Sequence, residues 1–174
     1  SVETHLDSLY KDAELRFDCE FIGKEGAEAR LELKDKEGRN VQLPQSRFKL
    51  AKGKNTFLLP VANPLKWDAE HPNLLEVAVY RDNKELSRFD RRIGFREVEI
   101  VKDRMLVNGR QVKLRGACRH DIHPTLGRTT TADLDSLDVL LFKQSNMNFV
   151  RTSHYPPSER FLEFCNRYGI YVES

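Results

Sequence analysis

The chain has 174 residues, of which 32% are charged and 39% hydrophobic, with 29 Lys and Arg against 27 Asp and Glu. This composition provides enough apolar residues for a core and excludes a membrane-spanning, collagen-like or disordered chain. The net charge of +2 is too close to balance to indicate binding to nucleic acid or to an acidic membrane surface.

The three cysteines, Cys19, Cys118 and Cys165, lie far apart in the chain. Their odd number and the lack of a CxxC pair predict neither a disulfide framework nor a thiolate metal site. The opening sequence SVETHLDSLY has no basic segment followed by an apolar stretch, so we expect no signal peptide in it.

Alternating apolar and polar residues dominate the first 95 residues. The run from Leu15 to Phe21 alternates with charged residues, and shorter runs of the same period follow at residues 31–33, 56–61 and 75–79. Turn sequences such as Lys36-Glu37-Gly38 separate these runs. Short strands of period 2 between turns predict an immunoglobulin-like β-sandwich over residues 1–95.

The pattern changes after Phe95. Residues 97–101 and Arg104–Val107 are typical of a hairpin, and the turn pair Asn108-Gly109 leads to a predicted strand at residues 112–115. Two further strand-like runs follow, at residues 148–151 and 170–172.

Two helices are predicted between these strands. The first begins at Thr130 or Thr131 and ends near Asn146, and the second begins at Ser158 and is closed by Gly169. Their apolar residues recur at helical spacing. These residues are Leu134, Leu137, Leu140 and Leu141 in the first helix, and Phe161, Phe164, Cys165 and Tyr168 in the second.

Strands and helices alternate in this second part, which predicts right-handed crossovers and a parallel sheet. A (β/α)8 barrel takes about 250 residues, and two βα units with one further strand do not close one. We therefore expect residues 96–174 to be the N-terminal part of a TIM-barrel domain.

Polar residues follow two of the predicted strands at the position where barrel enzymes carry their active sites. Cys118, Arg119, His120 and His123 come after the first strand, and Arg151 and His154 come with the second. Several interpretations remain open. The cysteine and histidines could bind zinc, Cys118 and a histidine could form a nucleophile pair, or the imidazoles and guanidinium groups could bind a polar substrate. Alternatively, Arg115, Arg119 and Arg151 pair with carboxylates and the histidines only hold loops.

Residues 63–174 resemble glycoside hydrolase family 2, the family of β-galactosidase, β-glucuronidase and β-mannosidase. The matching segments, in family order, are NPLKWDAEHPNL at 63–74, Gly94-Phe95-Arg96, Asn108-Gly109, Arg115-Gly116, Arg119-His120, Arg151-Thr152-Ser153-His154-Tyr155-Pro156 and Tyr168-Gly169-Ile170-Tyr171-Val172. The run His120-Asp121-Ile122-His123-Pro124 is more similar to β-galactosidases than to β-glucuronidases, although Cys118 stands where β-galactosidases commonly have Asn.

The resemblance implies a role for three residues. His120 and His154 match the family's sugar-contacting histidines, and Arg151 matches the arginine that orients the catalytic nucleophile. Arg119 and His123 carry no such role and are expected to hold their loop.

A retaining glycosidase uses two carboxylates, one as acid/base and one as nucleophile. In the family both are glutamates on later barrel strands, and nothing in residues 1–174 matches either motif. We therefore expect no catalytic residue within this chain and no activity from the chain alone. For the full-length enzyme the resemblance implies a carbohydrate substrate, homo-oligomers, a magnesium ion associated with a glutamate beyond Ser174, and a bacterial cytoplasmic or periplasmic location that the sequence does not decide.

Two alternatives stay open at this point. The enzyme could be a β-glucuronidase or β-mannosidase of the same family. Alternatively, the chain could be a non-catalytic sandwich module that spaces domains, with Phe17, Phe21, Phe48 and Phe57 as core residues and Trp67 as its only tryptophan.

Overall fold

Two antiparallel sheets are formed by the first 93 residues in a computed structural model, which describes residues 1–23, 26–81 and 84–174. Their strands are β1 (Val2–Leu6), β2 (Ala13–Phe21), β3 (Glu28–Lys34), β4 (Asn40–Val41), β5 (Arg47–Lys49), β6 (Gly53–Val61), β7 (Leu75–Arg81) and β8 (Lys84–Ile93). One sheet has the order β1-β2-β6, and the other has the order β4-β3-β7-β8 with β5 paired to β3.

The two sheets enclose one hydrophobic core, as in an immunoglobulin-like sandwich. Leu15 and Phe17 of β2 are buried in the same cluster as Leu31 and Leu33 of β3 and Val77 of β7. These residues occupy alternate positions on their strands, so their side chains point to the same face of each sheet. The predicted sandwich is thereby confirmed.

A small antiparallel sheet follows the sandwich. It consists of β9 (Val98–Val101), β10 (Arg104–Val107) and β11 (Arg110–Gln111), in the order β11-β10-β9. Asn108 and Gly109 both have positive φ, at 51° and 74°, as the tight turn between β10 and β11 requires.

The rest of the chain is a parallel sheet with two crossover helices. The elements are β12 (Gly116–Arg119), α1 (Ala132–Gln144), β13 (Phe149–Thr152), α2 (Glu159–Tyr168) and β14 (Tyr171–Glu173). The strands pair in the order β12-β13-β14. Thr131 and Ser158 cap the two helices through their hydroxyl oxygens, as predicted. This is the start of a TIM barrel.

The predicted strand at residues 112–115 is wrong, because the strand lies four residues later, at Gly116–Arg119. The side chain of Asn148 accepts a hydrogen bond from the Arg115 N–H and donates one to the Lys113 carbonyl. Since a side chain satisfies these backbone groups, the alternating residues before Gly116 form no ladder of their own.

The leucine spacing predicts helix α1 correctly, but it does not mark the face that is buried. Asp135 and Val139 are the buried residues of this helix, whereas Leu137 and Leu141 are each 49% exposed. On α2 the apolar spacing also marks the buried face, because Phe161 and Cys165 are buried there and Phe164 and Tyr168 pack against them.

The sandwich docks against the helix ends that lie opposite the carboxyl edge of the parallel sheet. The buried Trp67 donates its indole N–H to the carbonyl of Asn166 at 2.8 Å. Lys143, in the last turn of α1, donates its ammonium group to the Ala69 carbonyl at 2.9 Å. The sandwich therefore does not cover the carboxyl ends of β12, β13 and β14, where polar residues lie.

The contact between the sandwich and α2 leaves no room for a side chain at Gly169, which ends α2. Its φ is 75°, and a Cβ there would lie 2.3 Å from the Ala69 carbonyl oxygen. We expect Gly169→Ala to lower the free energy of unfolding by about 1–3 kcal/mol more than Gly38→Ala, because overpacking has that cost. Gly38 is the matched control, since its φ is 78° and a Cβ added to it would meet no atom within 4 Å.

Urea unfolding of both variants measures this difference. Equal losses for the two glycines would show that positive φ alone, and not contact with the sandwich, determines the cost.

Within residues 1–23, 26–81 and 84–174, neither helix is long and apolar enough to cross a membrane.

Candidate functional site

Two histidines meet at the carboxyl edge of the parallel sheet. His120 directly follows β12 and His154 lies two residues after β13, and their ring centroids are 5.8 Å apart in an edge-to-face arrangement. Both residues are exposed. The structure thus brings together the two residues predicted to bind sugar, because adjacent parallel strands end at the same edge.

Tyr155 is the third ring at this edge. Its centroid lies 6.3 Å from that of His120, and its hydroxyl accepts a hydrogen bond from the Asp121 N–H at 2.7 Å. This bond connects the loop after β12 to the loop after β13. The sequence prediction assigned Tyr155 no role of its own, because the spacing of residues along the chain does not show its hydrogen bond to a loop more than thirty residues away.

Arg151 lies on the sheet face that points away from α1 and α2. It pairs in register with Cys118 of β12 and with Glu173 of β14, so the three side chains form one row across this face. The Arg151 guanidinium lies 3.9 Å from the Glu173 carboxylate, and both side chains are more than half exposed. A guanidinium in this row is available to orient a further anionic group.

Arg119 points to the other face, toward the helices, and is buried. Its guanidinium donates hydrogen bonds to Asp121, to Asp135 at 2.8 Å and to Asp138 at 2.8 Å. Burial lowers the pKa of Arg119, but the hydrogen bond to Asp138 and the charges of the three aspartates raise it overall. The interpretation that Arg119 pairs with carboxylates is therefore confirmed by its contacts.

Asp135 is fully buried at the centre of these contacts. Burial raises the pKa of its carboxyl group, but hydrogen bonds from Thr130 and Arg160 and the charge of Arg119 outweigh that effect and lower the pKa overall. The charged form therefore stabilises the fold at neutral pH, and this contribution is lost as the pH falls through the lowered pKa. Sequence reasoning missed Asp135, because an acidic residue in the first helical turn is usually a solvated one.

The His123 side chain binds backbone groups of its own loop. Its Nδ1 accepts hydrogen bonds from the backbone N–H groups of Thr125 and Leu126, at 3.2 and 3.3 Å, and its backbone pairs with Gly127. These contacts fit the predicted loop-holding role.

The zinc interpretation does not fit the residues present. Within the described ranges, no group of three or more His, Cys, Asp or Glu residues could hold a metal ion. The zinc set of Cys118, His120, His123 and His154 is therefore not assembled.

The cysteines differ in environment. Cys118 is exposed on β12, whereas Cys165 is buried among the residues of α2, and burial raises the pKa of its thiol to about 12. Cys165 is therefore a small apolar core residue.

An open cavity of about 390 Å³ adjoins Tyr155. Its lining is polar and comes from both loops and from the start of α2: Asp121, Arg128, Thr129, Thr130, Ser158 and Arg160. A larger cavity, of about 600 Å³, lies between the sandwich and α2 and includes His71 and Arg167. Neither cavity is lined by His120 or His154, and only the smaller one shares a residue, Tyr155, with the surroundings of the histidine pair.

Two family models match the chain. Residues 1–96 match the model of glycosyl hydrolases family 2, and residues 98–174 match the TIM barrel domain of glycosyl hydrolases family 2.

Individual relatives and solved structures agree with these matches. A β-galactosidase of Klebsiella pneumoniae is 34% identical over 96% of this chain and 17% of its own length, and one of Priestia megaterium is 34% identical over 99% of this chain and 18% of its own. The crystal structure of Parabacteroides merdae β-glucuronidase matches 98% of this chain and 22% of its own chain with a TM-score of 0.84 and 25% identity. The crystal structure of Ruminococcus gnavus β-glucuronidase in complex with uronic isofagomine matches 99% of this chain and 27% of its own chain, with a TM-score of 0.79 and 29% identity. The chain spans less than a fifth of the length of the two β-galactosidases.

Proposed function

The chain belongs to family 2 of the glycosyl hydrolases, and on that premise we propose that the protein containing it hydrolyses terminal, non-reducing β-glycosides with retention of configuration. β-Galactosides are the proposed substrates. The similarity of residues 120–124 to β-galactosidases supports this choice, as do the relatives at 34% identity that carry that name.

The observation that carries the proposal is the pair of imidazoles at adjacent strand ends, 5.8 Å apart. Glycoside cleavage passes through an oxocarbenium-like transition state in which the sugar ring is distorted. Imidazole donors in fixed positions bind sugar hydroxyls more strongly as the ring distorts, so they act on the transition state more than on the ground state. In this proposal His120 and His154 are those donors, and Arg151 orients the nucleophile from the neighbouring row.

The two catalytic carboxylates are proposed to lie outside residues 1–174. Retaining enzymes hold these groups about 5–5.5 Å apart. The carboxylates at this edge, Asp121 and Glu173, are instead engaged by Arg119 and Arg151. The proposed enzyme acts as a homo-oligomer on a carbohydrate substrate.

A β-glucuronidase is the second candidate, and the observation that favours it is the set of solved structures with TM-scores of 0.79 to 0.84, which are glucuronidases. A β-mannosidase and a non-catalytic spacer module are further alternatives that the same experiment separates.

The experiment is a panel of nitrophenyl β-galactoside, β-glucuronide and β-mannoside, applied to the complete protein and to residues 1–174 alone. We expect the complete protein to turn over the galactoside fastest and the 174-residue chain to turn over none, because general acid and nucleophile are both missing from it. The first-formed anomer, followed by proton NMR, reports retention.

Faster turnover of the glucuronide would make the second candidate correct. A complete protein that is inactive on all three sugars would support the spacer module. Turnover by the purified 174-residue chain would place a catalytic carboxylate among Asp121, Glu159 and Glu173.

A further inference from the structure

An ion cluster with a buried centre lies beneath the two histidine loops. We call it the Arg119–Asp135 cluster, and its members are Arg119, Asp121, Asp135, Asp138 and Arg160. The side chain of Arg119 is 7% exposed and that of Asp135 is 0% exposed. The Arg119 guanidinium also lies 4.1 Å from the centroid of the Phe161 ring, which closes the cluster from the α2 side.

Asp135 connects three parts of the chain through its two oxygens. Oδ1 accepts hydrogen bonds from Arg119, at the end of β12, and from Thr130, just before α1. Oδ2 accepts from Ser158 at 3.3 Å and from two nitrogens of Arg160 at 3.0 and 2.9 Å, both at the start of α2. One carboxylate thus links β12, the loop before α1 and the first turn of α2.

The loop that carries His120, residues 120–131, is attached to this cluster near both of its ends. Near its beginning, Asp121 accepts a hydrogen bond from Arg119. Near its end, Thr130 donates its hydroxyl to Asp135.

The loop that carries His154, residues 153–158, is attached to the cluster at its end. At its beginning, a backbone hydrogen bond from the Ser153 N–H to the Arg119 carbonyl oxygen, at 2.8 Å, continues the pairing of β13 with β12. At its end, Ser158 donates to Asp135 while also capping α2. The Asp121–Tyr155 hydrogen bond then joins the two loops to each other.

The imidazoles themselves contribute little to their own placement. Across the described ranges, neither the His120 ring nor the His154 ring has a hydrogen-bond partner; the two rings contact each other, and His120 also contacts Tyr155. The positions of both rings therefore depend on the backbones of the two loops, and each loop is hydrogen-bonded to Asp135, through Thr130 and through Ser158.

We propose that Asp135 is a positioning residue of the sugar site, which holds His120 and His154 in mutual register through the two loops. This inference rests on the proposed function for its kinetic consequence. A buried ion pair is by itself weak evidence for stability, so a role in positioning has to be separated from a role in folding.

The test compares Asp135→Asn with Asp133→Asn in the complete enzyme. Both changes remove one negative charge from the first turn of α1, but Asp133 is exposed. With activities normalised to titrated active sites below both melting temperatures, we expect Asp135→Asn to lower kcat on the order of 10–100-fold, because small misplacements have that effect. Affinity for a transition-state-like imino sugar should fall in parallel, while affinity for the free product sugar stays near the wild-type value.

A second readout does not depend on activity. Long-range ¹H–¹⁵N spectra of the imidazoles should show shifted signals for both His120 and His154 in Asp135→Asn and for neither in Asp133→Asn. This readout still tests the inference if the wild-type protein hydrolyses no glycoside, a result that would refute only the proposed function. If Asp135→Asn does not fold, Thr130→Val removes one hydroxyl from the same carboxylate and should shift the same signals by less.

The inference is overturned if Asp135→Asn keeps kcat within about twofold of Asp133→Asn per titrated site and leaves both imidazole signals in place. A lowered melting temperature with those two results would show that Asp135 only stabilises the fold.

Discussion

Replacing His154 with phenylalanine should lower kcat and kcat/KM together, on the order of 10²–10³-fold, in the complete enzyme. This corresponds to about 2.7–4 kcal/mol, the cost of losing one preorganised donor. His154 is exposed beside His120 at the edge of the sheet. Pro156 and Pro157 follow it closely and restrict the backbone of its loop. A donor held in this way suits transition-state binding better than proton transfer by a mobile group.

The matched control is His123→Phe. Its Nδ1 accepts backbone hydrogen bonds within its own loop, so this variant should lower the melting temperature and affect kcat mainly through folding. Kinetics and thermal melts on both variants decide which of the two histidines contacts the sugar. Near-wild-type kcat for His154→Phe, with a loss for His123→Phe at an unchanged melt, would move the sugar contact to His123.

Trp67→Ala should lower the free energy of unfolding by about 3–5 kcal/mol, as for other buried tryptophans cut to alanine. Trp67 is 1% exposed and packs edge-on against Tyr171, with ring centroids 5.6 Å apart. Its indole N–H donates to Asn166 across the contact between sandwich and barrel segment. Losing the ring therefore opens a cavity in the contact between the sandwich and the barrel segment.

Two companion variants separate packing from hydrogen bonding in urea unfolding. Trp67→Phe keeps a ring but removes the N–H, and should lose less than Trp67→Ala. Leu65→Ala, in the same loop but 56% exposed, should change stability by no more than about 0.5 kcal/mol. If Trp67→Phe loses as much as Trp67→Ala, the hydrogen bond to Asn166 rather than the packing of the ring holds the two parts together.

Local features of the chain were predictable because they depend on neighbouring residues. The alternation from Leu15 to Phe21 identifies β2, since strand side chains point to opposite faces in turn. Thr131 and Ser158 mark helix starts because their hydroxyl oxygens accept a hydrogen bond from a backbone N–H of the first turn, and Gly169 marks a helix end because it adopts the left-handed conformation. The placement of His120 and His154 at one edge follows from the same reasoning, since a strand–helix–strand order makes neighbouring strands parallel.

Two errors show where local reasoning fails. The alternation before Gly116 is typical of a strand, but Asn148, more than thirty residues away, binds its backbone. The sequence Gly116-Ala117-Cys118-Arg119 has little β-propensity, yet it forms β12 because it pairs with β13 along its whole length. Pairing with a partner strand, not intrinsic preference, decides such a segment.

The sequence by itself therefore determined the order of the elements, most of their ends and the residues at the sheet edge. Only the tertiary structure decided which face of α1 is buried, because Arg119 from β12 and Arg160 from α2 both require the Asp135 carboxylate there. A buried charge is stable only with such partners, and they are 16 and 25 residues away along the chain. No helical periodicity records contacts at that separation, so the leucine pattern of α1 predicts the helix but not its buried face.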